Sequence, residues 1–204
     1  MKLYDSIGPN PRVVRMFIAE KGVEIPRQTV DLRGGENRQE THLKRNPMGQ
    51  MPTLELDDGS CLAEITAICE YLEEKSPNPP LIGSTPEQRA ECRMWTRRID
   101  LNIVEPMGNG YRYGEGVKFF EKRIPVAPEA SPGLKKVAAT RLQWLNGQMA
   151  DGREFICGKR FTLADVLLYC WLDFAGQVGQ PLDPANTNIA AWFARVGARP
   201  SAKA

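Results

Sequence analysis

The chain has 204 residues, long for one small domain and suited to one large or two small ones. Apolar residues make up 42% and charged residues 25%, enough for a packed core and against disorder. With 27 basic against 25 acidic residues the net charge is +2, and no dense Lys/Arg stripe appears, which argues against a dedicated nucleic-acid surface.

No run approaches the roughly 18 apolar residues of a membrane span. "MKLYDSIG" is too short and polar for a signal peptide, so the chain reads as soluble and cytoplasmic. The five cysteines (Cys61, Cys69, Cys92, Cys157, Cys170) are odd in number, widely spread and without a Cys-x-x-Cys pair. That pattern implies buried reduced thiols, not a disulfide scaffold or zinc site. His42 is the one histidine, which removes a multi-histidine metal site and any serine triad built on another histidine.

In chain order, "KLYDS" reads as a short strand. "GPNP" then opens "RVVRMFIAEKG", where Val14, Phe17 and Ile18 sit at i, i+3, i+4 of an amphipathic helix closed by Gly22. "IPRQTVDL" reads as a second strand, completing a βαβ unit with parallel pairing. "ENRQETHLKRN" is a weaker polar helix, on which His42 reads as a surface residue. "TLELDDGSCLAE" reads as a hairpin turning at Asp58-Gly59. Pro52 precedes its first strand, a position that needs no ladder donor. "EITAICEYLEEKS" carries Ile65, Ile68, Cys69 and Leu72 at helical spacing.

"SPNPPLIGSTPEQ" has four prolines and no periodicity, and reads as a linker over 77–86. The remainder of the chain reads as helical. Cys92, Trp95, Ile99 and Ile103 mark one stripe, and Leu134, Val137, Ala138, Leu142 and Leu145 another. "LADVLLYCWLDFAGQ" is apolar nearly all round and reads as a central helix, entered through a Thr162/Asp165 capping box. Ile189, Trp192, Phe193 and Val196 share a face of the last helix. "VEPMGNGYRYGEG" is expected to break its helix at Pro106 and two glycines and to display Met107, Tyr111 and Tyr113. The expected fold is thus an α/β domain over 1–76 followed by an all-α domain over 87–204, without internal repeats.

Four stretches in order, "NPMGQMPTL", "LAEITAICEYL", "FTLADV" and "RPSA", together resemble the cytosolic glutathione transferases. "YDSIGPNPRVVR" is similar to the start of bacterial members. The resemblance implies a thioredoxin-like first domain, a helical second domain, glutathione as co-substrate and a homodimer, to which the residues themselves add the expectation of no metal and no nucleic-acid or membrane partner. In the family the proline after "GQM" is cis, which implies that the main chain of Met51, before Pro52, is free to pair with the cysteinyl part of glutathione.

By the same resemblance Glu64 meets the γ-glutamyl ammonium, and the N–H groups of Ile65 and Thr66 meet its carboxylate at a helix N-terminus. A serine is more usual at Ile65; its loss removes one hydroxyl bond. Gln50 and Asn37 match positions that bind the glycyl carboxylate, with plain surface exposure as the alternative for both.

The chemistry needs a thiolate, and a thiol of pKa ~8.5 is only about 3% ionised at pH 7. Bringing it to ~6.5 requires roughly 2.7 kcal/mol of differential stabilisation. The family supplies this with Tyr, Ser or Cys near the end of the first strand or the start of the first helix. Here Asn10 aligns with the activating position of some bacterial members, Ser6 is the second choice, and Tyr4 reads as packed within the strand. Asn10 is equally readable as the N-cap of a helix opened by Pro11.

Met107, Tyr111 and Tyr113 are expected to line an apolar site, between the domains, for a second substrate. The implied activity is addition of the glutathione thiolate to small hydrophobic electrophiles. Two alternatives stay open: glutathione-dependent reduction of disulfides or peroxides, and a non-catalytic glutathione-binding dimerisation module.

Overall fold

Alternation along the first strand, β1 (Lys2–Asp5), sends Leu3 and Tyr4 to opposite faces, and both are buried. A sheet covered on two sides follows from that pair alone. The computed structural model, which describes residues 1–204, divides into Met1–Ser84 with Arg199–Ala204, and Thr85–Ala198.

In the first unit, β1 leads through α1 (Pro9–Lys21) to β2 (Arg27–Thr29), parallel to β1. A 3₁₀ turn (Glu36–Arg38) and the single-turn α2 (Glu40–Leu43) come next. Then come β3 (Thr53–Glu55), β4 (Cys61–Leu62) and α3 (Ile65–Lys75). The sheet order is β2-β1-β3-β4, with β3 antiparallel to both neighbours. Gly59, with φ 84°, makes the turn between β3 and β4. Val13, Val14, Phe17, Leu54, Ile68 and Leu72 form buried core, and Tyr4, Val30 and Met51 cluster separately with Leu32 against them.

A buried ion pair staples this unit. Lys21 closes α1 against Glu73 of α3 with both side chains sealed from solvent. Lys21 also donates to the Pro79 carbonyl (2.6 Å), while Glu73 accepts from the Leu81 (3.2 Å) and Ile82 (2.8 Å) N–H groups. The proline-rich stretch is therefore irregular but anchored. Arg199 forks onto Glu20 of α1 (2.8 and 2.7 Å), and Arg12 donates to the Ala202 carbonyl (2.8 Å), so the C-terminal residues lie on α1.

The second unit holds α4 (Pro86–Ile99), a π-helical turn (Asp100–Val104), α5 (Glu105–Tyr113), α6 (Val117–Phe120), α7 (Ser131–Gln148), α8 (Leu163–Gln177) and α9 (Thr187–Gly197). The expected break at Pro106 is absent. In the preceding π turn the Glu105 N–H reaches the Asp100 carbonyl, and this widened turn accommodates a ring that would clash in a regular helix.

Nor are the glycines breakers. A Cβ on Gly108 would lie 2.8 Å from the Trp171 ring, and one on Gly110 2.8 Å from Lys135 Cγ. They let α5 approach α8 and α7. Met107 is consequently buried instead of displayed, and Tyr111 packs edge-on to Phe120 and Phe174, while Tyr113 is half-buried. Val137, expected in the core stripe of α7, is 46% exposed.

α8 is buried along nearly its whole length, and its capping box is formed. Asp165 accepts from the Thr162 N–H (2.9 Å), Thr162 hydroxyl (3.1 Å), Ile156 N–H (2.9 Å) and Trp192 Nε1 (2.8 Å). Complete burial nevertheless pushes its pKa up to about 6. No helix is long and apolar enough to cross a membrane.

Candidate functional site

The strand register gathers three segments at one end of the sheet. Tyr4 near the end of β1 pairs with Thr53 at the start of β3, and Leu54 pairs with Leu62 at the end of β4. The exit of β1 into α1, the entry to β3 and the exit of β4 into α3 therefore adjoin. Two helix N-termini, each with a positive partial charge, flank the entry to β3.

At that entry the Met51–Pro52 peptide is cis. The ladder begins only at Thr53, and the main-chain N–H and C=O of Met51 bond to no group of the chain. The Met51 side chain is 8% exposed, in the cluster with Tyr4 and Val30. A buried side chain beneath free amide groups is the arrangement that sheet edges offer when an extended peptide adds to them.

The loop before it is held by side chains. Asn37 Nδ2 donates to Gly49 O (2.6 Å), and Asn46 Nδ2 (2.9 Å) and His42 Nε2 (3.4 Å) both face Gln50 O. The Gln50 side chain itself is exposed. Asn37 is 2% exposed, so it stands behind the loop, not on its surface. His42 is likewise 2% exposed, against the expectation of a surface residue. The polar run is two single turns, Glu36–Arg38 and Glu40–Leu43, and the second lays His42 against Tyr4 with the rings nearly perpendicular and their centroids 6.3 Å apart. Sequence reasoning missed His42 and Asn46 as supports; the only signal was two side-chain donors just ahead of "PMGQMP".

At the third segment Glu64 is exposed and caps α3 with φ 67°, a left-handed conformation costing a non-glycine residue on the order of 1–3 kcal/mol. The first-turn N–H groups of Ile65 and Thr66 receive no side-chain cap, which leaves them for an anion.

At the first segment the N-cap of α1 is Gly8, with φ 111°, and Pro9 opens the helix. Asn10 is thus the second helical residue, not the N-cap, and is half-buried. The Ser6 hydroxyl donates to Val30 O at 2.7 Å and is occupied there. Tyr4 is 1% exposed; its hydroxyl donates to Glu55 Oε2 (2.7 Å), holding that carboxyl below the usual range. The structure thus brings Asn10, Gln50, Met51, Pro52, Glu64, Ile65 and Thr66 to the segments at one sheet end, with Ser6 and Asn37 turned to internal carbonyls. Met107, Tyr111 and Tyr113 belong to the other unit.

Two family models match the chain: the glutathione S-transferase N-terminal domain over residues 1–74 and its C-terminal domain over 128–195. A curated relative, glutathione S-transferase 2 of Saccharomyces cerevisiae, is 28% identical over 211 residues, covering 100% of this chain and 88% of the relative. Elongation factor 1-gamma of Carassius auratus is 32% identical over 84% of this chain, but this chain spans only 37% of that protein. Among solved structures, Gtt2 of S. cerevisiae superposes with a TM-score of 0.88 at 29% identity, over 100% of this chain and 99% of that one. A glutathione S-transferase domain-containing protein of Marinobacter aquaeolei VT8 does so with a TM-score of 0.89 at 36% identity, over 98% and 99%. Matched in both halves by family models and nearly end to end by that solved relative, the chain belongs to the glutathione S-transferase family.

Proposed function

We propose that the protein binds glutathione along Met51 and transfers its thiolate to small apolar electrophiles. The observation that carries this reading is the unbonded main chain of Met51, set between the N-termini of α1 and α3. The Met51 amide groups pair with the cysteinyl residue. Ile65 and Thr66 N–H take the γ-glutamyl carboxylate, Glu64 its ammonium, and Gln50 the glycyl end. Asn37 keeps the Gln50 loop in shape.

The sulfur then lies at the start of α1. The Asn10 amide donates to the thiolate, and the dipole of a 13-residue helix adds to that stabilisation. The thiol proton leaves to solvent, the sulfur lone pair forms the C–S bond, and the leaving group departs with its electron pair. Tyr111 and Tyr113 are the candidates for contact with the apolar substrate. Met107, being buried, shapes their support. Five free cysteines, four of them buried, suit a reducing compartment.

The test is ultraviolet titration of the bound thiol against pH. The expected midpoint lies well below the free value near 8.5. A midpoint at the free value removes the enzymatic reading. Conjugation of an aryl halide then measures transfer directly, with turnover of a mixed disulfide as the competing outcome. Asn10→Ala lowers the rate, whereas Ser6→Ala leaves it unchanged.

A second reading has its own support. The similarity to elongation factor 1-gamma, a protein not named for transfer chemistry, and the apolar Ile65 in place of a hydroxyl favour a glutathione-binding module without turnover. Either version assembles as a homodimer, through the exposed Met94, Leu101, Val137 and Trp144 of the helical unit.

A further inference from the structure

The peptide group between Gln50 and Met51 is trans, since the cis bonds are Met51–Pro52 and Asn78–Pro79. In a planar trans peptide the C=O and the N–H point in opposite directions. Whatever fixes the Gln50 carbonyl therefore aims the Met51 N–H.

Two buried donors converge on that carbonyl. Asn46 Nδ2 lies 2.9 Å away and His42 Nε2 3.4 Å away, with Asn46 3% and His42 2% exposed. Asn46 is itself pinned, its Oδ1 accepting from the Met48 N–H (3.1 Å) and its own N–H donating to the His42 carbonyl (2.9 Å). The neighbouring Gly49 carbonyl is held by Asn37. A nitrogen facing a carbonyl must carry the proton, so His42 is the Nε2–H tautomer. Its Nδ1 is buried without a partner, and its ring stands nearly perpendicular to that of Tyr4. Donors on a carbonyl also polarise the amide behind it and strengthen its N–H as a donor.

We infer that His42 and Asn46 are positioning residues that turn the Gln50–Met51 peptide so that the Met51 N–H faces the bound tripeptide. This rests on the glutathione reading above for the identity of the ligand, but not for the direction of the amide. Neither side chain touches the ligand. The competing account makes His42 a space-filling ring under the loop, a task phenylalanine performs as well.

The test uses the full-length protein with ¹⁵N label, following the Met51 amide resonance in the unliganded state and glutathione affinity by calorimetry. His42→Phe keeps the ring and removes the donor; His42→Gln restores a donor at the Nε2 position; Asn46→Ala removes the second donor. The expected result is a displaced Met51 amide resonance in His42→Phe and Asn46→Ala. Glutathione Kd rises by about 2- to 12-fold in each, the worth of one net hydrogen bond. His42→Gln returns both readouts to the parent values.

An unmoved Met51 resonance in both donor-deleted variants overturns the inference, as does equal behaviour of His42→Phe and His42→Gln. Should His42→Phe not fold, Asn46→Ala against the parent decides by the same two readouts. Should the parent take up no glutathione, the proposed ligand fails. The resonance of the free protein then still decides whether these side chains set the amide.

Discussion

His42 carries the chain's one imidazole, and burial holds its pKa below the ordinary value near 6.5. Arg45 adds to the depression, while the Gln50 carbonyl and Glu36 oppose it. The neutral form is thus favoured in the fold more than in the unfolded chain. Its contribution to stability is present above about pH 6.5 and is lost as pH falls through the lower folded value. Thermal unfolding between about pH 7.5 and about pH 5.5 should show the parent losing stability more steeply than His42→Gln. Parallel slopes would mean that His42 titrates alike in both states. Residue identity was legible at this scale where a motif dictated it: Glu64 at the head of α3 and Pro52 before β3 stand where the pattern put them. Burial was not legible. Asn37 and His42 lie in a polar run and still point inward, because a loop carrying several carbonyls must bury donors to satisfy them.

At the scale of elements, periodicity located the helices and misjudged one interruption. Pro106, Gly108 and Gly110 carry every local mark of a loop, yet α5 runs through them. The π turn absorbs the proline, and the glycines serve packing that no local rule foresees. Gly108→Ala should therefore cost roughly 1–3 kcal/mol in urea unfolding, since the rigid Trp171 ring stands 2.8 Å from the added methyl. Gly110→Ala should cost less, because its nearest neighbour is the flexible stem of Lys135. Equal losses would show that the Lys135 stem yields no more than the Trp171 ring, and a gain at both sites would show that helix propensity, which favours Ala over Gly, outweighs contact. The capping box of α8 was readable from Thr162 and Asp165; its tertiary partners, Ile156 and Trp192, were not. Asp165→Ala should lower stability by about 3 kcal/mol or more, since each buried donor left without an acceptor costs about 1–3 kcal/mol. A loss near the ~1 kcal/mol of an ordinary cap would show that the two distant donors find other partners.

At the scale of the molecule, the exposed apolar side chains of the helical unit belong to α4, the π turn and α7. Leu101→Glu combined with Trp144→Glu should shift sedimentation from dimer to monomer while far-ultraviolet dichroism stays at the parent value. A dimer that survives both charges would place the interface elsewhere.

Order and spacing of motifs determined the family, the α/β unit followed by helices, and the three segments that hold the candidate site. These are carried by local rules: alternation for strands, 3.6-residue spacing for helices, Gly and Pro at turns. Only the tertiary structure decided that Arg199–Ala204 lies with the first unit, through the Glu20–Arg199 pair, and that Lys21 and Glu73 close it internally. Only it showed that two side chains behind the loop hold the carbonyl of the very peptide whose N–H is left open. The physical reason is common to all three. A hydrogen bond or ion pair is chosen by which groups burial leaves unsatisfied, and that is a property of the packed chain, not of neighbours in sequence.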